Sequence, residues 1–253
     1  MRKIYFILMC ALLIIAGCAS VGMTGRRQLM LVSEGEEAAL GLQAYQDVLS
    51  KSKVSADAKN TQLVNKVGAA IAAASGANYD WKFVLIDDKQ VNAFCLPGGK
   101  VAVYTGILPY TQTEEGLAVV IAHEVAHALA RHGAERMSQQ MMMDTGLSLT
   151  GAALGQNANK DLIMSALGLG SQVGVMLPYS RKHEYEADYI GLLLMAEAGY
   201  NPQAAVDFWQ RMSSAGGGAA QPEFLSTHPA DASRIAEIKK HLPEAMQYYN
   251  GAR

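Results

Sequence analysis

The chain has 253 residues, 50% of them hydrophobic and 17% charged, with a formal net charge of −2. So much apolar side chain excludes a disordered chain, and the lack of a basic excess excludes a binder that works by neutralising nucleic-acid phosphates. Three cysteines exclude a disulfide scaffold, and 24 glycines with 7% aromatics point to close helix packing rather than to a β-sandwich.

The chain starts with Arg2 and Lys3, followed by an apolar run from Ile4 to Ala16. That run has the length of a signal-peptide core and is short for a membrane span. Its end, Ile15-Ala16-Gly17-Cys18, resembles a bacterial lipobox, in which the cysteine becomes the acylated first residue. The expected organisation is a lipoprotein signal peptide over 1–17, a membrane tether over 18–32 and a single domain over 33–253. Ala19 after the cysteine resembles outer-membrane sorting, so the expected location is the bacterial cell envelope, lipid-anchored at the outer membrane and facing the periplasm. With Cys10 removed and Cys18 acylated, Cys95 is the remaining thiol.

Ser33 and Glu36 form a capping-box pattern, which predicts a helix over 34–49. A second helix is expected over 57–74, closed by Ser75-Gly76. The period then changes, and 81–86, 91–96 and 100–104 read as strands, the last two joined at Pro97-Gly98-Gly99. Helices are expected near 114–131, 134–155, 160–176, 182–198, 202–214 and 230–241, with Asn201-Pro202 as a helix start and Gly216-Gly217-Gly218 as a loop. The stretch 137–178 is rich in Met, Gly, Ala and Leu. Asp144, Asn157, Asn159, Lys160 and Asp161 interrupt it, which favours a helical lid or surface-lying pair over a membrane hairpin.

The chemistry centres on His123-Glu124-Val125-Ala126-His127. Histidines at i and i+4 share one helical face and can reach one metal, with Glu124 beside them as a base. The flanking residues are apolar, so this is a core helix, where two histidines and a glutamate without a shared ligand would be costly. A catalytic zinc needs a third protein ligand. Glu184 and Asp188, again at i and i+4, supply a ligand and an acceptor that orients a ligand imidazole. Glu186 ranks second as the third ligand, and His183 is a weaker rival.

This pattern, an HExxH helix followed by a Glu-x-x-x-Asp helix, resembles the gluzincin metallopeptidases, in particular the HtpX-like and CAAX-prenyl-protease family and its small bacterial lipoproteins. Asn92-Ala93-Phe94 through Pro97-Gly98-Gly99 to Val103 and Gly106, Ser180-Arg181 before Glu184, and Thr227-His228-Pro229 with Ser233-Arg234 carry the same resemblance, over about residues 33 to 240. The integral-membrane members have transmembrane helices that this sequence lacks. The resemblance implies an α+β, mainly helical zincin-like core with a small β-sheet beside the active-site helix. It implies one zinc per chain on His123, His127 and Glu184, Glu124 as general base, and His228 as oxyanion stabiliser; the lone pair of His228 also allows it to fill the vacant zinc position as an inhibitory ligand. Arg181 and Arg234 read as ion-pair residues. Asn92, Ala93 and Phe94 are candidate substrate-binding residues, because an edge strand can pair with an extended peptide. Cys95 reads as a small buried residue. The expected function is a zinc endopeptidase acting on unfolded or misassembled envelope proteins, with no nucleic-acid partner. The alternatives are a non-catalytic, zinc-containing chaperone or assembly factor for outer-membrane proteins and a zinc hydrolase of cell-wall amides.

Overall fold

Every residue from Gly116 to Ala128 is buried, the expected state of a helix that is apolar on all sides. This helix, Glu114–Leu129, is the axis of the computed structural model, which describes residues 18–149, 180–216 and 222–251. The expected signal peptide, the helix over 160–176, most of the 137–178 segment and Gly217-Gly218 lie outside the described residues.

In chain order the elements are β1 (Cys18–Ser20), β2 (Arg27–Leu29), α1 (Glu34–Lys51), α2 (Ala58–Ser75), β3 (Lys82–Ile86), β4 (Ala93–Leu96) and β5 (Lys100–Tyr104). A 3-10 turn (Thr105–Ile107) and the short α3 (Leu108–Thr111) lead into α4, the axial helix. Then come α5 (His132–Leu149), α6 (Arg181–Glu197), α7 (Ala204–Gly216), α8 (Glu223–Thr227) and α9 (Ala232–Gly251). The architecture is mainly helical with small sheets, as expected.

Local signals explain the helix starts. Ser33 and Glu36 form the full capping box, while Asp57, Thr113 and Ser180 each accept a backbone N–H from the first turn of α2, α4 and α6. Gly76 closes α2 at φ 61°, a left-handed cap. The fourth helix is shorter than expected. It ends at Leu129, and Arg131 takes φ 55°, an uncommon conformation for a residue other than glycine. The Arg131 side chain then reaches Glu37 at 2.7 Å and the Val32 carbonyl at 3.1 Å, which ties the turn to the start of α1.

The larger sheet has the order β3-β5-β4, with β3 parallel and β4 antiparallel to β5. On β5, Val101 and Val103 join the main core around α4, while Ala102 and Tyr104 join a smaller cluster with Ala44 and Val48 of α1. This is the two-residue period of a strand buried on both faces. The β4–β5 turn places Pro97 before Gly98 at φ 76°, the type II pattern. Helix α1 sits on this turn, and a Cβ at Gly41 would come within 2.3 Å of the Pro97 carbonyl oxygen, so the approach requires glycine.

Residues 18–32, expected as a tether, fold back on the domain. β1 and β2 pair antiparallel, Val21 and Gln28 are buried, and the Leu31 N–H donates to Ser138 Oγ at 2.8 Å. Among the described residues no helix is long and apolar enough to cross a membrane.

Candidate metal centre and its relatives

One helical turn of α4 separates His123 from His127, and their Nε2 atoms lie 3.1 Å apart. Helix α6 crosses beside them. Its Gly191 permits the close approach, since a Cβ there would be 3.3 Å from the His123 backbone nitrogen. The first turn of α6 delivers Glu184, whose Oε1 is 3.3 Å from His127 Nε2 and whose Oε2 is 3.5 Å from His123 Nε2.

His228 comes from the end of α8. That helix is pinned at its start by the Phe224 N–H on the Val91 carbonyl at 2.9 Å, and its last turn is closed by the His228 N–H on the Phe224 carbonyl at 2.8 Å. His228 Nδ1 lies 3.2 Å from His123 Nε2 and 3.0 Å from Glu184 Oε1. One donor atom from each of His123, His127, Glu184 and His228 falls within 4.8 Å of the others, and all four residues are buried.

This donor set fits zinc. Nitrogen and carboxylate oxygen ligands sit about 2.0–2.2 Å from a tetrahedral zinc, which sets neighbouring ligand atoms roughly 3.3 Å apart. A second observation agrees. Glu124 Oε1 is buried without a hydrogen bond, with His228 Nε2 at 3.4 Å. Burial raises the Glu124 carboxyl above the ordinary glutamate range, against the His228 and His123 imidazoles and the Cys95 backbone N–H, which pull it down.

Arg234 supports the centre from α9. Its guanidinium is 1% exposed and lies 3.4 Å over the Trp209 ring. It forks onto Asp188 at 2.6 and 2.8 Å and reaches Glu184 Oε2 at 2.6 Å. Asp188 Oδ1 in turn lies 3.0 Å from His123 Nδ1, where it can fix that ring. Burial would raise the Asp188 carboxyl, but the Arg234 charge and hydrogen bond hold it below the ordinary range.

The structure thus brings His123, Glu124, His127, Glu184, Asp188 and His228 into one buried cluster. Glu186 and His183, the rival third ligands, are placed elsewhere. Glu186 takes His132 at 2.9 Å together with Thr24 and Arg26, and His183 Nε2 meets Glu135 at 3.0 Å. On the edge strand, Asn92 Oδ1 accepts the Ala93 N–H at 2.9 Å. The Tyr104 N–H bonds the Asn92 carbonyl, so by antiparallel alternation the main-chain groups of Phe94 pair inward with Ala102, while those of Ala93 and Cys95 face the open edge. The main-chain groups of Phe94 are therefore turned away from that edge. Burial pushes the Cys95 thiol well up, which suits an inert core residue. Arg181 is exposed, 3.6 Å from Asp231, and a cavity of about 140 Å³ between these two residues, Tyr185 and Arg234 leads to Glu184.

Sequence reasoning missed the aromatic wall and the network behind His127. Trp209 and Phe224 stack at 5.8 Å, and the Trp209 ring packs edge-on to His123 at 5.5 Å. His127 Nδ1 meets His132 Nδ1 at 2.9 Å, and His132 leads on to Glu186. Burial alone would raise the Glu186 carboxyl, but hydrogen bonds from His132, Thr24 and Arg26 hold it at about 2. His132, five residues after His127 on the same stretch, was the one signal in the sequence that could have led there.

A helix carrying two histidines one turn apart, a carboxylate base beside them and a carboxylate ligand from a second helix define a zincin-type metallopeptidase centre. The model of peptidase family M48 matches residues 57–242, and the chain belongs to that family. It is a zinc-dependent metalloprotease. It is 39% identical over 231 residues to mitochondrial metalloendopeptidase OMA1 of Schizosaccharomyces pombe, covering 89% of this chain and 67% of that one. It is 30% identical over 240 residues to the mitochondrial metalloendopeptidase OMA1 of Homo sapiens, covering 92% of this chain and 46% of that one. It is also 30% identical over 215 residues to the beta-barrel assembly-enhancing protease of Escherichia coli strain K12, covering 82% and 44%. The chain thus spans under half of the latter two relatives. The match stands at the level of family M48, and the narrower resemblance to HtpX-like and prenyl-protease members rests on motifs alone.

Removing one partner of a buried ion pair strands the other charge in the core. Arg234→Met is therefore expected to lower the unfolding free energy by about 3–5 kcal/mol, read from the denaturant midpoint at unchanged slope. A loss within 0.5 kcal/mol, about that of a neutral surface substitution, would show that these carboxylates do not depend on the arginine.

Proposed function

We propose that this chain is an envelope-anchored zinc endopeptidase that hydrolyses peptide bonds in misfolded or misassembled envelope proteins. The observation that carries the peptidase part is the buried Glu124 carboxylate, with an oxygen free of hydrogen bonds, set beside the four-donor cluster. In this reading His123, His127 and Glu184 hold the metal and Asp188 orients His123. Zinc, when bound, acidifies a water and polarises the scissile carbonyl. Glu124 Oε1 takes the proton of the attacking water and returns it to the leaving amide nitrogen. A pure chaperone would need zinc for shape alone and would have no use for this base.

The substrate pairs as an added strand with the outward carbonyls of Ala93 and Cys95 on β4, whose N–H groups are held by Asn92 Oδ1 and by the Glu124 carboxyl. Main-chain pairing reads extension rather than sequence, which fits unfolded chains. The name of the Escherichia coli relative, a beta-barrel assembly-enhancing protease, supports a role toward envelope proteins. Anchoring through acylated Cys18 rests on the lipobox-like sequence, and Ala19 after it supports an outer-membrane location facing the periplasm.

One further geometric fact favours a resting state. His228 presents Nδ1 to the donor cluster and Nε2 toward Glu124, so one imidazole covers both the fourth metal position and the base. In this reading His228 is an inhibitory ligand that a bound peptide displaces, rather than an oxyanion stabiliser.

Glu124→Gln is expected to keep zinc and lose nearly all casein cleavage, by roughly 10²–10⁴-fold, because only proton transfer is removed. Metal analysis beside the cleavage assay checks this, and unchanged cleavage would sink the peptidase reading. His228→Ala with normal zinc content should cut casein faster. Lost activity would instead assign His228 to the oxyanion. Cys18→Ser should abolish labelling by palmitate and leave an unprocessed or soluble protein, and label retained in that variant would remove the anchor.

A further inference from the structure

Behind the metal centre lies a second buried group of charged and imidazole side chains that the peptidase reading does not use. His132 is fully buried, Glu135 and Glu186 are each 7% exposed, and the His132 and His183 rings stack at 4.3 Å. Two histidines and two carboxylates could suggest another metal site. The positive charge there is already supplied by the protein. The Arg26 guanidinium, from the turn before β2, pairs with Glu135 at 2.8 Å and with Glu186.

The hydrogen bonds in this group run in one direction. If His127 binds metal through Nε2, its Nδ1 carries the proton and must donate. The partner, His132 Nδ1 at 2.9 Å, must then accept. A neutral imidazole that accepts at Nδ1 carries its proton on Nε2, and that atom faces Glu186 Oε2 at 2.9 Å. Glu186, a pure acceptor as a carboxylate, also receives the Thr24 hydroxyl and the Arg26 Nε–H. Thr24 and Arg26 belong to the hairpin formed by residues 18–32, six and eight residues after Cys18. The segment next to the proposed membrane anchor therefore ends the chain of donors that begins on a proposed metal ligand.

We propose that Thr24 and Arg26 are positioning residues for His127, acting through Glu186 and His132, so that docking of the N-terminal hairpin presents the His127 Nε2 lone pair to the metal. Undocking the hairpin frees Glu186 to turn away. His132 then loses its acceptor, both imidazoles sample the other tautomer, and part of the population carries a proton where the metal must bind. This inference rests on the reading of His127 as a metal ligand. Partners of ligand histidines typically change metal affinity by roughly 10–100-fold when removed.

The test measures zinc affinity by chelator competition in the full chain, together with histidine ¹⁵N shifts of the metal-free protein and the thermal midpoint. Arg26→Ala is expected to weaken zinc binding by roughly tenfold or more and to raise the share of His127 protonated at Nε2. His132→Phe should do the same, and the double variant should be no worse than the stronger single one, because both act along one chain. Thr24→Val removes one hydroxyl donor without touching the ion pairs, and it carries the same test if Arg26→Ala fails to fold. A lower thermal midpoint with zinc affinity and His127 tautomer unchanged would overturn the proposal and leave the hairpin a structural strap. Fully additive effects of Arg26→Ala and His132→Phe would also overturn it. His127→Ala separates the two readings: if it retains zinc, the ligand assignment fails. If it loses zinc while Arg26→Ala and Thr24→Val do not, the ligand assignment stands and only the positioning role falls.

Discussion

The Arg234 guanidinium, buried between Asp188, Glu184 and the face of Trp209, is the interaction on which the centre depends. Glu124, Glu184 and Asp188 all lie within a water-poor core. Carboxylates in such a place would take up protons or swing outward unless positive charge met them. Zinc can supply part of that charge, but it cannot reach Asp188 while Asp188 faces the far side of His123. Arginine can, because its planar fork addresses two carboxylates at once and stays charged when buried. The requirement then spreads outward. The fork must be held flat, which Trp209 of α7 does. It must also arrive from the other side of α6, which is what brings α9 back across that helix.

Glu184 and Glu186 show how little separates two opposite uses of one residue type. They are two positions apart on α6, so they leave the helix on different sides. Glu184 points at the donors on α4, and Glu186 points at His132 and the N-terminal hairpin. The two faces are not independent, because His127 touches both: its Nε2 joins the Glu184 side and its Nδ1 joins the Glu186 side through His132. A single imidazole is thus the joint between the donor cluster and its support.

The parts of this centre that lie within one helix were legible in the sequence. His123, Glu124 and His127 follow from the helical period, and so does the pairing of Glu184 with Asp188. Cap residues placed the starts of α1, α2, α4 and α6 for the same reason, since a cap and its helix are neighbours in the chain. What crosses between elements was not legible. Arg234 lies 46 residues from Asp188 and Arg26 lies 160 from Glu186. Arg234 read as an ion-pair residue but without its partners, and nothing local distinguishes Arg26 from a solvated arginine. The two three-residue strands of the N-terminal hairpin are too short to show alternation, so 18–32 read as a tether. Arg131 ended the fourth helix two residues early through a left-handed backbone that an apolar period cannot announce.

The edge strand shows why parity matters more than proximity in such a site. β4 is buried along its length, yet only alternate residues can offer main-chain groups to a partner. The β4–β5 turn fixes which ones. With Leu96 opposite Lys100 and Asn92 bonded to Tyr104, Phe94 must pair inward, and Ala93 and Cys95 are left for the open edge. A turn longer or shorter by one residue would exchange the two sets and turn the Cys95 N–H away from Glu124. The Pro97-Gly98-Gly99 turn therefore sets, from the far end of the strand, which amides face Glu124. Helix α1 holds that turn through the contact that only Gly41 permits. Which face of β4 meets Glu124 is in this sense decided by a packing contact at the far end of the strand.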